Sequence, residues 1–159
     1  MTTRVTLSPY APDAAEALSA LKVASWQVVF SGQPREFVEA PEDGCDIHLI
    51  RREDALVGMF RIDRHYHRRH TFAQADTPGM RSFIVDADRQ GEGIGTATVR
   101  AMPGYIRTHY PLATAIYLTV NLRNPGAIKA YLRGGFTDTG AEWPHGLAGP
   151  QKILRLPLL

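Results

Sequence analysis

The run Arg89-Gln90-Gly91-Glu92-Gly93-Ile94-Gly95 constrains this chain more than any other segment. It follows an apolar stretch, Met80 to Val85, and opens a helical pattern. Glycines at alternate positions let a backbone turn tightly with little side-chain bulk. Amides exposed at such a turn, beside a helix N-terminus, can hold a phosphate or pyrophosphate. The run therefore points to a phosphorylated cofactor. Two familiar phosphate motifs are excluded. A dinucleotide fingerprint needs G-x-G-x-x-G after the first strand of a βαβ unit; its last position falls on Thr96 counted from Gly91, and on Thr98 counted from Gly93. A P-loop needs a Gly-Lys pair, and the chain has none. What remains is Gln-x-x-Gly-x-Gly across Gln90 to Gly95, for which a surface turn without ligand is the competing reading.

A second motif lies further on, from Asn124-Pro125-Gly126-Ala127 to Gly134-Gly135-Phe136. Asn124 suits a helix N-cap and Pro125 the first helical position. Gly134 and Gly135 suit the C-terminal stop. Ala127, Ile128, Tyr131 and Leu132 fall on one helical face. The spacing predicts a two-turn helix with Asn124 at its start and a tyrosine midway.

Taken in order, Gln-x-x-Gly-x-Gly, a strand, then Asn-x-x-Ala-x-x-x-Tyr-x-x-x-Gly-Phe resembles the GNAT superfamily of acyl-CoA-dependent N-acetyltransferases. The segment Arg81 to Asp86 is similar, more loosely, to bacterial diamine and polyamine acetyltransferases. The resemblance implies an α/β fold: a mixed, mostly antiparallel central sheet flanked by helices, with two splayed strands holding a pantetheine arm. It implies acetyl-CoA as co-substrate, its pyrophosphate on the amides of Gln90, Gly91, Gly93, Gly95 and Thr96. The backbone of Phe83 and Val85 would pair with the pantetheine, and an amide near them would act as an oxyanion donor. Asn124 would contact the arm or cap its helix, and Asn121 is a second polar candidate. Tyr131 would be the catalytic acid, donating a proton to the departing thiolate; the competing reading is a tyrosine packed on a helix face. Arg89 would add a charged contact to the phosphates or remain solvated. Glu92 stands where the family often has Lys or Arg, and is expected to point to solvent. For the proton on the amine, Asp63, His65, Glu36 and Glu142 are candidates, as is a water chain.

The rest of the chain reads as alternating strands and helices. Arg4 to Leu7 suggests a first strand. Asp13 and Glu16 form a capping-box pattern ahead of a helix carrying Ala14, Leu18 and Leu21 toward Trp26. Residues 31–44 read as a loop with a short helix near Arg35 to Val38. Asp46 to Arg52 and Leu56 to Ile62 read as a hairpin. Arg64 to Pro78 reads as a loop, Ile94 to Tyr110 as a helix broken or kinked at Pro103-Gly104. Ala115 to Val120 is the clearest strand, and Phe136 to Thr139 pairs with Lys152 to Leu156 across a loop from Glu142 to Pro150.

At 159 residues the chain is expected to be a single domain, 1–159. No apolar run approaches the roughly 18 residues of a membrane span. The first residues lack the pattern of a signal peptide. With one cysteine, Cys45, read as a structural thiol, a cytoplasmic protein is the simplest expectation. A formal charge of +2 is too small to argue for nucleic acid. Arg61, Arg64, His65, His67, Arg68, Arg69 and His70 form a basic cluster whose default reading is a solvated loop. Binding of an acidic substrate group or of the adenosine 3′-phosphate is the alternative, and no metal is expected there. The cluster argues against a highly cationic polyamine. The expected partner is a small primary amine, such as a diamine, an amino acid or an aminated metabolite. Protein lysine or N-terminal acetylation, and a non-catalytic acyl-CoA sensor, are the competing readings. Family members are commonly homodimers, and the apolar tail Ile153 to Leu159 suits an interface or a core strand equally.

Overall fold

The computed structural model describes residues 3–158. Seven strands form one sheet in the order β1-β2-β3-β4-β5-β7-β6. They are β1 (Thr6–Pro9), β2 (Cys45–Arg52), β3 (Ala55–Asp63), β4 (Gly79–Val85), β5 (Ala115–Asn121), β6 (Thr137–Trp143) and β7 (Gln151–Pro157). Five helices accompany them: α1 (Ala15–Ser19), α2 (Ser25–Ser31), α3 (Pro34–Glu39), α4 (Ile94–His109) and α5 (Pro125–Gly134). Every neighbouring pair is antiparallel except β4 and β5. Those two run parallel and share a single registered pair, Gly79 with Tyr117, before they part. The expected mixed, mostly antiparallel sheet with a splay at its centre is what forms.

Alternation along the strands sends side chains to two cores. On one face Ile50, Phe60, Ile116 and Leu118 pack against Val99, Met102 and Ile106 of α4. On the other, Leu49, Met59 and Ile84 meet Leu18 of α1 and its neighbours Ala14 and Leu21. The tail resolves as a core strand: Ile153, Leu154, Leu156 and Leu158 are buried, and β7 is paired on both sides. Edge strand β6 is mostly exposed and polar, which suits a sheet edge facing water.

Several boundaries differ from the sequence reading. Thr6–Pro9, not Arg4 to Leu7, is the first strand. Asp13 makes no capping bond; Pro12 opens a 3-10 turn over Pro12–Ala14, and α1 ends at Ser19, so α2 is a separate helix. The helix α4 runs unbroken through Pro103 and Gly104. The backbone bond lost at Pro103 is offset by the buried stripe of Ile94, Val99, Met102 and Ile106 on either side of it. In α5, Leu132 is 42% exposed and leaves the apolar face on which Tyr131 is buried. The closing loop shortens to residues 144–150 because Glu142 and Trp143 belong to β6.

Candidate active site

A cleft of about 810 Å³ opens where β4 and β5 part. One half is built by the end of β4, the Gly-rich turn, the start of α4, and α5. The other is built by α2, Phe37 of α3, Arg61 of β3, the Tyr66–His70 segment and residues 143–148. The residues expected to bind the cofactor and the expected acid all line it: Phe83, Val85, Gln90, Gly91, Gly93, Gly95, Thr96, Asn124 and Tyr131.

The first half has the form of an anion cradle. Gln90 ties the turn to the strand before it, its side-chain amide donating to the carbonyl of Val85 at 3.2 Å. Gly91 and Gly93 have φ of +85° and +78°, in the left-handed region that favours glycine. Gly93 is the N-cap of α4 and brings no side-chain capping bond, so the first amides of the helix are not capped by it. Gly95 is different: it has helical backbone, and a Cβ there would meet Ala130 and Phe83 only at 3.7 and 3.9 Å. Its smallness matters only toward a ligand. Glu92 does not point to solvent as expected. It accepts from Arg52 at 2.6 Å and from Arg89 at 3.2 Å, so its charge is compensated beside the turn.

On α5, Asn124 caps the helix, accepting from the amide of Ala127 at 3.4 Å. Tyr131 is 9% exposed, its ring edge-on to Phe83 and Phe136 at 5.6 and 5.7 Å. Burial alone pushes its pKa above the usual tyrosine value. Asn121 also lines the cleft, and its side chain is engaged by the protein: it donates to the carbonyl of Ala148 at 3.1 Å and accepts from the amide of Arg123 at 2.8 Å.

Between the halves β4 carries a bulge. Met59 pairs with Ile84 and Arg61 with Arg81, which leaves Ser82 and Phe83 opposite Phe60 alone. Ser82 has φ of +53°, an uncommon conformation for a residue with a Cβ. Its Oγ accepts from Arg61 Nη2 at 2.8 Å and from Nε at 3.2 Å. No feature of the sequence marks this bulge, since Ser82 sits within an ordinary strand pattern.

The basic cluster is not one solvated loop. Arg61 is 7% exposed, with its guanidinium carbon 3.8 Å from the centroid of the Phe37 ring. Tyr66 is fully buried and His70 stacks on its ring at 3.8 Å. His70 Nδ1 lies 3.3 Å from the Tyr66 carbonyl. Burial lowers the His70 pKa below its usual 6.5. Arg64 is paired with Asp46 at the surface. The four carboxylates and imidazoles expected to be candidate bases are not brought into the cleft lining. Asp63 is buried and ion-paired with Arg81 at 3.2 Å, His65 packs against Gly44, and Glu36 and Glu142 are exposed. Cys45 is buried, and burial raises its pKa, as fits a structural thiol. Among the described residues no group of His, Cys, Asp or Glu is placed to hold a metal, and no helix is long and apolar enough to cross a membrane.

A splayed mixed sheet with a Gly-rich turn feeding a long helix at the splay is the architecture of an acetyltransferase. The chain belongs to the acetyltransferase (GNAT) family, whose profile matches residues 12–136. A comparison with curated proteins gives no match. Among solved structures it is similar to AAC(6′)-Ib in complex with paromomycin and acetyl-CoA, with a TM-score of 0.78 and 17% identity over 97% of this chain and 93% of that one. It is also similar to spermidine N-acetyltransferase from Vibrio cholerae in complex with CoA and spermine, with a TM-score of 0.72 and 14% identity over 98% and 96% of the two chains. At these identities the likeness is one of fold.

Proposed function

We propose that this chain is an N-acetyltransferase that moves an acetyl group from acetyl-CoA to a primary amine of a small molecule, by direct attack in a ternary complex. The observation that carries this reading is the single cleft that joins an uncapped, Gly-rich helix N-terminus to a buried tyrosine across the β4–β5 splay. The residues present fit acetyl-CoA. Left-handed Gly91 and Gly93 leave backbone amides clear for its phosphates, and the β4 edge left free by the splay can pair with an extended arm. Acetyl-CoA supplies an acetyl thioester, so the acceptor nitrogen gains the C–N bond as the C–S bond breaks.

Each protein group then has one task. Amides at the Ser82–Phe83 bulge, outside the regular ladder, face charge that develops on the acetyl oxygen. Tyr131 holds its proton at neutral pH, as any phenol does and as burial reinforces by raising its pKa further, and it gives that proton to the departing sulfur. We assign His70 as the group that takes the proton from the amine. A carbonyl can only accept, so Nδ1 carries hydrogen toward Tyr66, and Nε2 keeps its lone pair. Burial keeps the ring neutral and ready at pH 7.

A small acceptor is favoured over a peptide because α2 and residues 145–148 wall the far half of the cleft. Acetyl-CoA-dependent thiol release, measured across amino acids, diamines, polyamines, aminoglycosides and lysine peptides, tests the reading. Turnover with a small amine supports it. Turnover confined to peptides would shift it to protein acetylation. Silence with all classes, while acetyl-CoA still raises the melting temperature, would leave a sensor.

A further inference from the structure

The acceptor half of the cleft is lined by basic side chains and by no acids. No Asp or Glu of the described residues lines it, whereas Arg61, Arg81, His70 and His145 do. Among these, Arg81 is already neutralised. It is ion-paired with Glu42 and, at 3.2 Å, with Asp63, while Arg69 lies 3.9 Å from Glu42. Arg61 is the exception. It is buried, yet its protein hydrogen bonds all end on one neutral oxygen, Ser82 Oγ, reached by Nε and Nη2. Among the described residues its Nη1 donates to nothing, and no carboxylate is ion-paired with it. One face of the guanidinium is covered by Phe37. A buried guanidinium held rigidly on two sides, with an open donor edge in a cleft, is a preformed receptor for a planar anion.

Position separates this receptor from the phosphate cradle. Gly58 pairs with Val85, the residue that leads into the Gly-rich turn, and Arg61 lies three residues further along β3. That is about 10 Å of strand. Arg61 therefore sits level with the Ser82–Phe83 bulge, where acetyl transfer is placed, rather than with the pyrophosphate amides. Around it, Trp26, Phe30, Phe37, Tyr66 and Trp143 give the cleft an aromatic wall, and Trp26 is 60% exposed.

We infer that Arg61 binds a carboxylate of the acceptor, so that the acceptor is an amino-acid-like amine bearing an apolar side chain rather than a polyamine or an aminoglycoside. The inference rests on the acetyltransferase reading above. A polycation would bring its charges to a site with none of the carboxylates that could repay their desolvation. An α-amino acid instead offers a carboxylate to the Arg61 edge, a nitrogen to the transfer site and an apolar group to the aromatic wall.

The test compares matched acceptors: L-leucine and L-phenylalanine, their carboxamides, and spermidine. The free acids should exceed their amides in kcat/KM by about 100-fold, the size expected for losing a charge-assisted pair. Arg61→Gln and Arg61→Lys should each shrink that preference by at least about tenfold, mainly through KM, with the Kd for acetyl-CoA unchanged. Equal use of acid and amide by the unmodified protein, or a preference for spermidine, overturns the inference whether or not the variants fold. Binding separates its failure from that of the enzyme reading. With the protein saturated in coenzyme A, calorimetry should detect N-acetyl-L-leucine and N-acetyl-L-phenylalanine but not their carboxamides. Acid-selective binding without turnover would sustain the carboxylate site and remove the catalytic reading. Turnover of other amines with no acid-selective binding would do the reverse.

Discussion

His48 Nε2 lies 2.7 Å from the phenol oxygen of Tyr110, and that phenol in turn donates to Asp46 Oδ2 at 2.8 Å. These two bonds fix the direction of a chain that runs from buried His48 to the half-exposed Asp46. Tyr110 spends its proton on Asp46, so it accepts from Nε2–H, and Nδ1 must accept from Tyr105 at 2.6 Å. The imidazole is neutral in this arrangement, with no place for a second proton. It lies on the α4 side of β2, stacked on Phe60, and takes no part in the cleft.

A stability prediction follows from that chain. Burial depresses the folded-state pKa of His48 from 6.5 to about 4. The unfolded chain therefore binds this proton first. The stability His48 contributes is full above about pH 6.5 and is lost as pH falls toward 4, reaching about 2 kcal/mol of loss near pH 5. Denaturant unfolding at pH 7 and pH 5 should show this loss in the unmodified protein. In His48→Gln the loss should be smaller by about that amount, although stability at pH 7 is lower because the tyrosine hydroxyls lose an ideal partner. An identical pH dependence in both proteins would refute the assignment.

Gly93 tests the cradle. Its φ of +78° is one that a β-branched residue adopts only with strain, and a Cβ would also approach Thr3 Oγ1 to 3.2 Å. Gly93→Val should cost about 1–2 kcal/mol of stability while the fold is kept. The larger effect should fall on acetyl-CoA, whose affinity should drop by at least about tenfold as the amides of the turn move. Calorimetry on the folded variant reads this directly. Normal affinity would show that the turn does not hold the phosphates.

Much of this arrangement was legible in the sequence. The two motifs name the residues that later line one cleft, because a Gly-rich turn and an N-capped helix are local structures set by local chemistry. The central strands were legible for the same reason, through alternation. What escaped depends on contacts between distant residues. Ser82 reads as a strand residue; only its position opposite Phe60, with Arg61 behind it, reveals a bulge. His70 reads as one of several basic residues until Tyr66 folds under it. Glu92 reads as a misplaced acid until Arg52, forty positions away, pairs with it. Pro103 reads as a break because local propensity counts one lost bond and not the buried face that holds α4 together.

Tyr131 separates chemistry from packing. Its ring is wedged between Phe83 and Phe136, burial raises its pKa, and among the described residues its hydroxyl makes no hydrogen bond. Tyr131→Phe keeps the ring contacts and removes only the acidic proton. The melting temperature and the Kd for acetyl-CoA should therefore stay close to those of the unmodified protein, while kcat falls about 10²-fold. Equal turnover in the two proteins would return Tyr131 to a packing role.

His70 makes the final and most discriminating prediction, because a catalytic base leaves a titration behind it. Burial holds its pKa below 6.5. At saturating amine, kcat should stay level through neutral pH and decline only on the acid side, as the imidazole is protonated and Nε2 loses its lone pair. His70→Gln retains a donor for the Tyr66 carbonyl and a planar group to lie on the Tyr66 ring, so it removes the titration with the least change in packing. In that variant kcat should fall about 10²-fold and the acid limb should vanish, leaving a flat profile carried by water. A structural role predicts something else: a lower kcat with the same acid limb, because the titrating group would still be present elsewhere. Stopped-time assays of thiol release from pH 5 to pH 9 on both proteins distinguish the two, and retention of the limb in His70→Gln would remove His70 from the mechanism.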